Sequence, residues 1–211
     1  MPAAERPVHL YDAFLRKVPR QSRSRSVVEA ILVAAFERLQ RDDEAPALES
    51  IAARAGVGIG SLYDYFRDRQ GVLAGAVAKL TEDNLEAFEQ CLRDSRALPL
   101  EEAVASIVDH ILRVYLADPK IARLALRMSY QLGLVPTLAS TQTIFAASLA
   151  QALAARTDLG PPRDYRVTAY ALTHAAMGIV HSRLWEESPP VSSDELRAEL
   201  IAVVLSSLRR S

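Results

Sequence analysis

The side chains with the most distinctive chemistry are clustered between residues 59 and 69 of this 211-residue chain. Hydroxyl and guanidinium groups donate the hydrogen bonds that phosphate oxygens accept in protein–DNA complexes, and the cluster supplies them from Tyr63, Tyr65, Arg67 and Arg69. Ile59 adds an apolar side chain that suits the methyl group of thymine. These residue types favour a surface that binds phosphates and contacts base edges.

Asp64 lies in the middle of the same cluster. A carboxylate only accepts hydrogen bonds, so Asp64 would best meet the amino group of cytosine, or it would instead pair with a nearby arginine. Gly58 and Gly60 carry no side chain, which lets the backbone come close to another surface. Backbone N–H groups at the start of a helix also attract phosphate.

Such a cluster needs a support that holds it on one exposed face, and the surrounding pattern predicts two short helices. Apolar residues at helical spacing form the stripe of the first one, at Leu48, Ile51, Ala52 and Ala55. Gly56 ends this helix in a left-handed conformation, which glycine adopts without steric cost. The second helix, residues 58–66, buries Leu62 and Phe66 on one face. This pattern favours a helix-turn-helix over the alternative, an ordinary corner of an all-helical protein.

The segment IAARAGVGIGSLYDYFRDRQGVL resembles the N-terminal domain of tetracycline-repressor-like (TetR family) transcription regulators. The resemblance rests on A-G-V at the turn, on L-Y-x-Y-F in the second helix, and on the basic residue and long helix that follow. It implies that Ile59 and Ser61 face base edges and that Asp64 borders the groove. It also implies that phosphates are held by Tyr63, Tyr65 and Arg69.

The helix before the turn departs from the family pattern at its start. Family members often place a hydroxyl residue there, which caps the helix and touches phosphate, whereas this chain has Ala47. Glu49 complements the helix dipole but repels a phosphate. We therefore expect this helix to contact DNA less than it usually does.

Charge is distributed unevenly along a chain whose formal net charge is −1. Residues 1–26 contain six basic and two acidic side chains, whereas residues 81–211 contain 13 basic and 16 acidic ones. We interpret residues 1–23 as a basic N-terminal arm that is partly disordered without DNA. With DNA, phosphates or a minor groove would be contacted by Arg20, Arg23 and Arg25.

The rest of the chain predicts helices, which gives an all-α fold of about nine helices without a β pattern or an internal repeat. Ser26-x-x-Glu29 predicts a capping box at the start of the first helix, and Ser192-x-x-Glu195 predicts another before the last helix.

A long helix is predicted from Arg69 to about Arg93, leaving a helix-turn-helix domain (residues 24–80) and entering a larger helical domain (residues 81–211). The other predicted helices are separated by proline and glycine signals and cover about residues 99–118, 119–130, 135–156, 164–187 and 193–210.

The last two helices carry patterns that favour pairing of two copies of the chain. Small residues recur along one face of the first of them, at Ala171, Ala175, Gly178 and Ser182. The final helix has an apolar face, at Leu196, Leu200, Val203 and Val204. A four-helix dimer interface would bury both faces; the alternative is that they complete the core of one protomer.

The larger domain offers a small-molecule cavity by inference only. Aromatic, thioether and polar side chains that would line it are Tyr115, Met128, Gln131, Phe145, Tyr170, His174, Met177 and His181. The alternative for each is an ordinary core or interface position. Neither metal-ligand spacing nor a catalytic motif is present, so we expect no metal, no cofactor and no enzyme.

Together these patterns predict a homodimeric repressor that a small-molecule effector releases from a palindromic double-stranded DNA operator. The single Cys91, the lack of a long apolar run and the lack of a secretion signal favour a cytoplasmic protein without membrane association. Two alternatives stay open: a DNA-binding protein controlled by a protein partner without a ligand, and a helical ligand-binding protein that does not bind DNA.

Overall fold

The computed structural model of the chain describes residues 9–41, 46–159 and 163–209. Within these ranges the regular structure is helical and contains no strand, so the all-α prediction is confirmed. The α-helices in chain order are α1 (Ser22–Arg41), α2 (Leu48–Ala55), α3 (Ile59–Tyr65), α4 (Arg69–Asp94), α5 (Leu100–Leu116), α6 (Pro119–Gln131), α7 (Val135–Ala154), α8 (Arg166–Arg183) and α9 (Ser193–Arg209). Two short 3-10 helices cover Leu10–Phe14 and Ser95–Ala97.

The chain divides into two compact units, each of which has its own core. The first comprises the described part of Met1–Asp83 together with Leu124–Leu134. The second comprises Asn84–Arg123 and the described part of Val135–Ser211. Helices α4 and α6 each contribute residues to both units.

One face of α1 forms the base of the core of the first unit. Its apolar residues recur at helical spacing, so that one side of the helix is buried at Val28, Ile31, Leu32 and Ala35. Side chains from the next three helices pack in the same cluster, among them Ile51, Leu62, Phe66 and Val72. This core holds the two short helices that the sequence predicts in a fixed position.

Helix α1 begins earlier than the predicted capping box. Ser22 is its first residue, and Ser26 lies inside the helix, where its hydroxyl donates to the Ser22 carbonyl at 3.2 Å. The predicted capping box at Ser26 is therefore wrong. By contrast, the box at Ser192 is present: Glu195 N–H donates to Ser192 Oγ at 3.2 Å, and Glu195 Oε2 accepts from Ser192 N–H at 2.8 Å.

The turn between α2 and α3 has the geometry that the sequence predicts. Gly56 adopts φ 70° and ψ 28°, and its N–H donates to the Ala53 carbonyl at 3.3 Å. Val57 N–H reaches the Ala52 carbonyl at 3.0 Å. These two bonds form a Schellman motif, which a residue with positive φ requires and which glycine provides without strain.

The core of the second unit lies among α5, α7, α8 and α9. One cluster joins buried residues of these helices, including Val104, Val108, Ala150, Ala169 and Leu208. Position 210, where the last helix was predicted to end, lies outside the described residues. No helix in the described ranges is both long and apolar enough to cross a membrane.

Candidate nucleic-acid interface and effector cavity

Helix α3 divides its side chains sharply between the core and the solvent. Leu62 and Phe66, at its end, are fully buried. Ile59, the first residue of the helix, is 37% exposed and Tyr63 is 46% exposed, and Asp64 is exposed without an ion pair among the described residues. The helix thus presents an apolar group, a hydroxyl and a carboxylate from a rigidly anchored backbone.

Gly58 and Gly60 leave the start of this surface without side chains. A methyl group built at Gly58 or Gly60 would meet no atom of the described residues within 4 Å, so packing among them does not require glycine at either position. Gly58 precedes the first turn of α3, and no side chain caps that turn. The backbone N–H groups there are accessible to a ligand that comes close, as phosphate groups do.

The remaining predicted DNA contacts surround this face. Ser61 is half-buried, and Tyr65 packs partly against the first core cluster. Arg69 is exposed and is the first residue of α4. Asp68 fixes the start of this helix, because its Oδ1 accepts from Gly71 N–H at 2.8 Å.

The N-terminal segment is folded onto the first unit, at least from residue 9 onwards. Tyr11 is fully buried, and its hydroxyl donates to Glu29 Oε1 at 3.1 Å. Burial raises the pKa of this tyrosine to about 12. We name residues 9–20 the N-terminal strap; the arm that the sequence predicts is, over these residues, a packed element. Residues 1–8 lie outside the described residues.

Arg25 holds the strap in place. One guanidinium nitrogen, Nη1, lies 3.1 Å from Asp12 Oδ1 and 3.4 Å from the Tyr11 hydroxyl, and Nη2 donates to the Pro19 carbonyl at 3.1 Å. The Arg25 side chain is 20% exposed and that of Asp12 is 8% exposed. The hydrogen-bond donors of Arg25 thus serve an internal ion pair in this structure, and the contact of Arg25 with DNA stays a prediction.

The strap reaches the end of α3. Arg16 N–H donates to the Tyr65 carbonyl at 2.7 Å, which satisfies one carbonyl at the helix end. The Phe14 carbonyl lies 3.4 Å from the place a Cβ would take on Gly71, at the start of α4. Basic side chains on and just after the strap remain exposed, at Arg16, Lys17, Arg20 and Arg23.

The second unit contains an apolar cavity of about 100 Å³. Its wall is formed by side chains from five helices, for example Phe88 of α4, Val108 of α5, Phe145 of α7, Met177 of α8 and Val204 of α9. Within the described residues, no Asp, Glu, Lys or Arg belongs to the wall.

Two polar rings interrupt the apolar wall. His110 is 8% exposed, and burial, aided by the charge of Arg113, lowers its pKa. Burial raises the pKa of the Tyr115 hydroxyl. The Tyr115 ring meets the His181 ring edge-on at 6.1 Å, and burial lowers the pKa of His181 as well. All three side chains are therefore uncharged at neutral pH.

The comparisons with known families cover most of the chain. Residues 31–76 match a family model described as bacterial regulatory proteins of the TetR family, and residues 99–208 match one described as the tetracycline repressor-like C-terminal domain. The chain belongs to the TetR family. It is thus a DNA-binding transcription regulator, and the resemblance seen in its sequence is confirmed.

Several solved structures share this fold. A regulator from Mesorhizobium loti is 20% identical, with coverage of 90% of this chain and 98% of that one and a TM-score of 0.59. A regulator from Rhodococcus sp. is 22% identical, with coverage of 89% and 100% and a TM-score of 0.59. The multidrug-binding protein EbrR, solved with imidazole, is 20% identical, with coverage of 90% and 97% and a TM-score of 0.57. A search of curated proteins returned no match.

In this TetR-family chain the cavity includes only some of the predicted ligand-binding residues. Tyr115, Phe145 and Met177 line it, and His181 lies against Tyr115. Sequence reasoning missed His110, although it interrupts the apolar face of α5 between Ile107 and Ile111 and that pattern would have marked it.

Four predicted ligand-binding residues lie elsewhere, which corrects the sequence analysis. Met128 is buried in the first unit beside Leu39, and Gln131 is exposed. The rings of Tyr170 and His174 stack on each other outside the cavity, with their centroids 3.9 Å apart. Tyr170 is 54% exposed, so this pair belongs to the surface of the unit.

The small-residue stripe of α8 is exposed on this TetR-family protomer, at Ala171, Ala175, Gly178 and Ser182. Large apolar side chains lie on the same helix and are also exposed, with Val167 at 77% and Ile179 at 39%. On α9, Val203 is 47% exposed, whereas Leu196 is half-buried. Leu200 and Val204 line the cavity, so these two predicted interface residues contribute to the protomer core instead.

Proposed function

We propose that this regulator is a homodimeric repressor that leaves its operator when a small molecule binds in the cavity of the second unit. The observation that carries the proposal concerns α4, which is one continuous helix from Arg69 to Asp94. Its first residue follows the recognition helix α3, and Phe88, five turns later, forms part of the cavity wall. A ligand that displaces Phe88 therefore acts on the helix that begins beside the DNA-binding surface.

The size of the cavity explains why binding would move this helix. Sites for drug-sized ligands occupy about 300–1,000 Å³, whereas this cavity measures about 100 Å³. A drug-sized effector fits only if wall side chains such as Phe88 and Met177 move apart. The ligand thereby favours a second conformation, and a nearly complete reversal needs a preference of about 5.5 kcal/mol for that state.

Dimerisation supplies the second recognition helix. Half-sites in such operators lie about 34–36 Å apart, so two short helices read them only when a dimer sets their spacing. Val167, Tyr170 and Ile179 expose apolar surface on α8 next to small residues, and an exposed patch of this kind is typical of an interface. We assign the dimer contact to this face together with the exposed side of α9 around Val203.

The strap belongs to the proposed DNA-binding surface. Its backbone is bonded to the end of α3 through Arg16 N–H, so the exposed Arg16 and Lys17 side chains accompany the recognition helix. Direct base contacts are assigned to Ile59 and Ser61, and phosphate contacts to Tyr63, Tyr65 and Arg69. Asp64 borders the groove.

DNase footprinting on the region upstream of the protein's own coding sequence tests the DNA-binding part. We expect protection of a palindrome whose half-site centres lie about 34–36 Å apart. A variant with Ile59, Ser61 and Tyr63 all changed to Ala serves as the folded control, since these side chains are at least partly exposed. The lack of any sequence-dependent protection by the unaltered protein would contradict the assignment.

Release is tested on the same DNA fragment. Small apolar and amphipathic compounds are titrated against the complex, and fluorescence anisotropy reports dissociation. We expect one class of compound to release the DNA and to raise the melting temperature of the free protein by mass action. If every compound that binds the protein leaves its affinity for the operator unchanged, the effector mechanism is excluded.

A further inference from the structure

A second depression, wider and more polar, lies next to the apolar cavity in the second unit. This groove has a volume of about 370 Å³ and is formed by α4, the 3-10 helix Ser95–Ala97, α5 and α7. Four apolar side chains line both spaces and thus separate them: Val104, Ile107, Leu149 and Leu153. One layer of side chains is all that lies between the groove and the cavity.

The groove is rich in arginine, in contrast to the cavity. Arg93, Arg96 and Arg156 line it, against a single carboxylate, Glu89. The Glu89 carboxylate is partly occupied, because its Oε1 accepts from the Ser148 hydroxyl at 2.8 Å. Arg156 is paired with Asp158, so the excess of positive charge in the groove comes from Arg93 and Arg96.

The three arginines differ in their availability. Arg156 is 9% exposed and is committed to Asp158, at 2.6 Å, and to the Leu98 carbonyl, at 2.8 Å. Among the described residues, Arg93 bonds to the neutral Gln90 side chain alone, through Nε at 3.1 Å and Nη2 at 2.7 Å, which leaves three of its five N–H donors. Arg96 is exposed and forms no ion pair among the described residues.

The lining of the groove also includes the side chain of Ser95. Ser95 is 3% exposed, and its hydroxyl has no hydrogen-bond partner within the described part of the chain. A buried hydroxyl without a partner costs free energy, which a polar ligand group would recover.

We propose that the groove and the cavity together bind an amphipathic carboxylate, with the carboxylate held by Arg93 and Arg96 and the apolar tail inserted between α5 and α7 into the cavity. Guanidinium groups match a carboxylate in geometry as well as in charge. The inference deepens the proposed function, on which it rests for its regulatory consequence, by naming the chemical class of the effector.

Other ligand classes fit less well. A wholly apolar molecule would leave the guanidinium groups of Arg93 and Arg96 and the buried Ser95 hydroxyl without a partner in the ligand. A cation would meet the arginines of the groove and would find no carboxylate in the cavity wall. A wholly polar anion would leave the apolar layer around Leu149 unused.

Calorimetric titration of the purified full-length protein, without DNA, tests the ligand class directly. Octanoate, octanol and octyltrimethylammonium carry the same tail with an anionic, a neutral and a cationic head. We expect octanoate to bind about tenfold more tightly than octanol, and the cation to bind more weakly than either. Equal affinities for the three compounds, or a preference for octanol or the cation, would overturn the proposal.

Two variants separate the head site from the tail site. Arg93→Gln combined with Arg96→Gln changes only exposed side chains, and we expect it to reduce octanoate affinity to that of octanol while octanol binding stays unchanged. Lys120→Gln, an exposed cation outside the groove, is the matched control. Leu149→Trp fills the shared layer and is expected to abolish binding of both compounds. Octanoate binding that survives the double arginine change would remove the head site from the groove.

Because binding is measured without DNA, failure of the ligand class and failure of the proposed function give different results. Octanoate that binds in the predicted way but leaves the operator complex intact contradicts the release mechanism only. Release of the operator by a compound that is not an amphipathic carboxylate, with no octanoate binding, contradicts the ligand class only.

Discussion

At the scale of single residues, α3 offers two kinds of contact to DNA. Tyr63 carries a hydroxyl on an exposed, rigid ring, which suits a phosphate oxygen. Ile59 and Ser61 lie in the first turn of α3, where the recognition helix of a helix-turn-helix protein meets base edges. The two groups therefore have different effects on affinity and on sequence preference.

Tyr63→Phe removes one hydroxyl and keeps the ring. We expect affinity for DNA to fall by about 1 kcal/mol, which is roughly fivefold, on every sequence, because a phosphate contact carries no sequence information. Fluorescence anisotropy with operator and scrambled duplexes measures the change. Tyr130→Phe is the matched control, since Tyr130 is 62% exposed and lies on α6. An effect confined to the operator duplex would assign Tyr63 to base reading instead.

Ile59→Ala and Ser61→Ala should change which base is preferred. Loss of a base contact is expected to reduce discrimination by about 1–3 kcal/mol at one position of each half-site, with little change in binding to unrelated DNA. A panel of duplexes with single base-pair substitutions gives this profile. If the preference profile stays the same in both variants and Tyr63→Phe also binds normally, α3 is not the reading helix.

His110 makes the stability of the second unit sensitive to pH. Burial, with the nearby charge of Arg113, lowers the pKa of its imidazole, so the folded protein binds a proton less readily than the unfolded chain does. The stabilisation is complete above the unfolded pKa of about 6.5 and is lost as the pH falls from there through the lowered folded value.

We therefore expect the free energy of unfolding to decrease as the pH is lowered below about 6.5, and to do so less steeply in His110→Gln. Urea denaturation at a series of pH values measures the slope. His181, whose pKa burial also lowers, should contribute a similar part in its own variant. A slope that is unchanged in both variants would show that neither imidazole is coupled to folding.

At the scale of elements, the strap changes the description of the N-terminal segment from an arm to a support. Tyr11, Asp12 and Arg25 form a buried network that fixes the strap on α1, and Arg16 N–H bonds it to the end of α3. Truncation of the segment would therefore disturb the core as well as remove charge. Substitutions of exposed side chains are the sharper test of its contribution to DNA binding.

Arg16→Gln combined with Lys17→Gln should reduce the salt dependence of DNA binding. Each lost phosphate contact changes the slope of log affinity against log salt by roughly 0.9, so we expect a slope that is smaller by about 1–2. Binding isotherms at several salt concentrations give the slope, and Arg127→Gln on α6 is the matched control.

Arg25→Gln provides the opposite pattern. It should lower the free energy of unfolding by about 1–3 kcal/mol, because Asp12 and Tyr11 lose a partly buried partner, and should leave the salt slope unchanged. A reduced slope in this variant with normal stability would confirm Arg25 as a phosphate contact.

At the scale of the whole molecule, Gly178→Leu tests the proposed dimer face. A Cβ at Gly178 would meet nothing within 4 Å in the protomer, so the leucine can be accommodated in the single chain, and it replaces a poor helix former within α8. Across a close helix pair it would clash. We expect sedimentation velocity to show a monomer at concentrations where the unaltered protein is a dimer, with no loss of thermal stability of the protomer.

Gly178→Ala is the matched control, since the small-residue character of the stripe is kept. A dimer that persists in Gly178→Leu at the same dissociation constant would place the interface on another face of the chain.

Much of the DNA-binding region could be predicted because its signals are local. Gly56, the turn after α2 and the burial of Leu62 and Phe66 depend on residues a few positions apart, as does the capping box at Ser192. Backbone sterics, hydrogen bonding of adjacent groups and helical periodicity act over that range. These features, the all-α class and the family were therefore determined by the sequence alone.

Only the tertiary structure decided what depends on distant residues. Arg25 is paired with Asp12, Met128 packs in the first unit, and His110 rather than His174 faces the cavity. Helical periodicity shows that a side chain is turned inward, but it does not show which other helix it meets. The Tyr11 network and the layer between the groove and the cavity exist because separate helices bring their side chains together, and packing of that kind is a property of the folded chain.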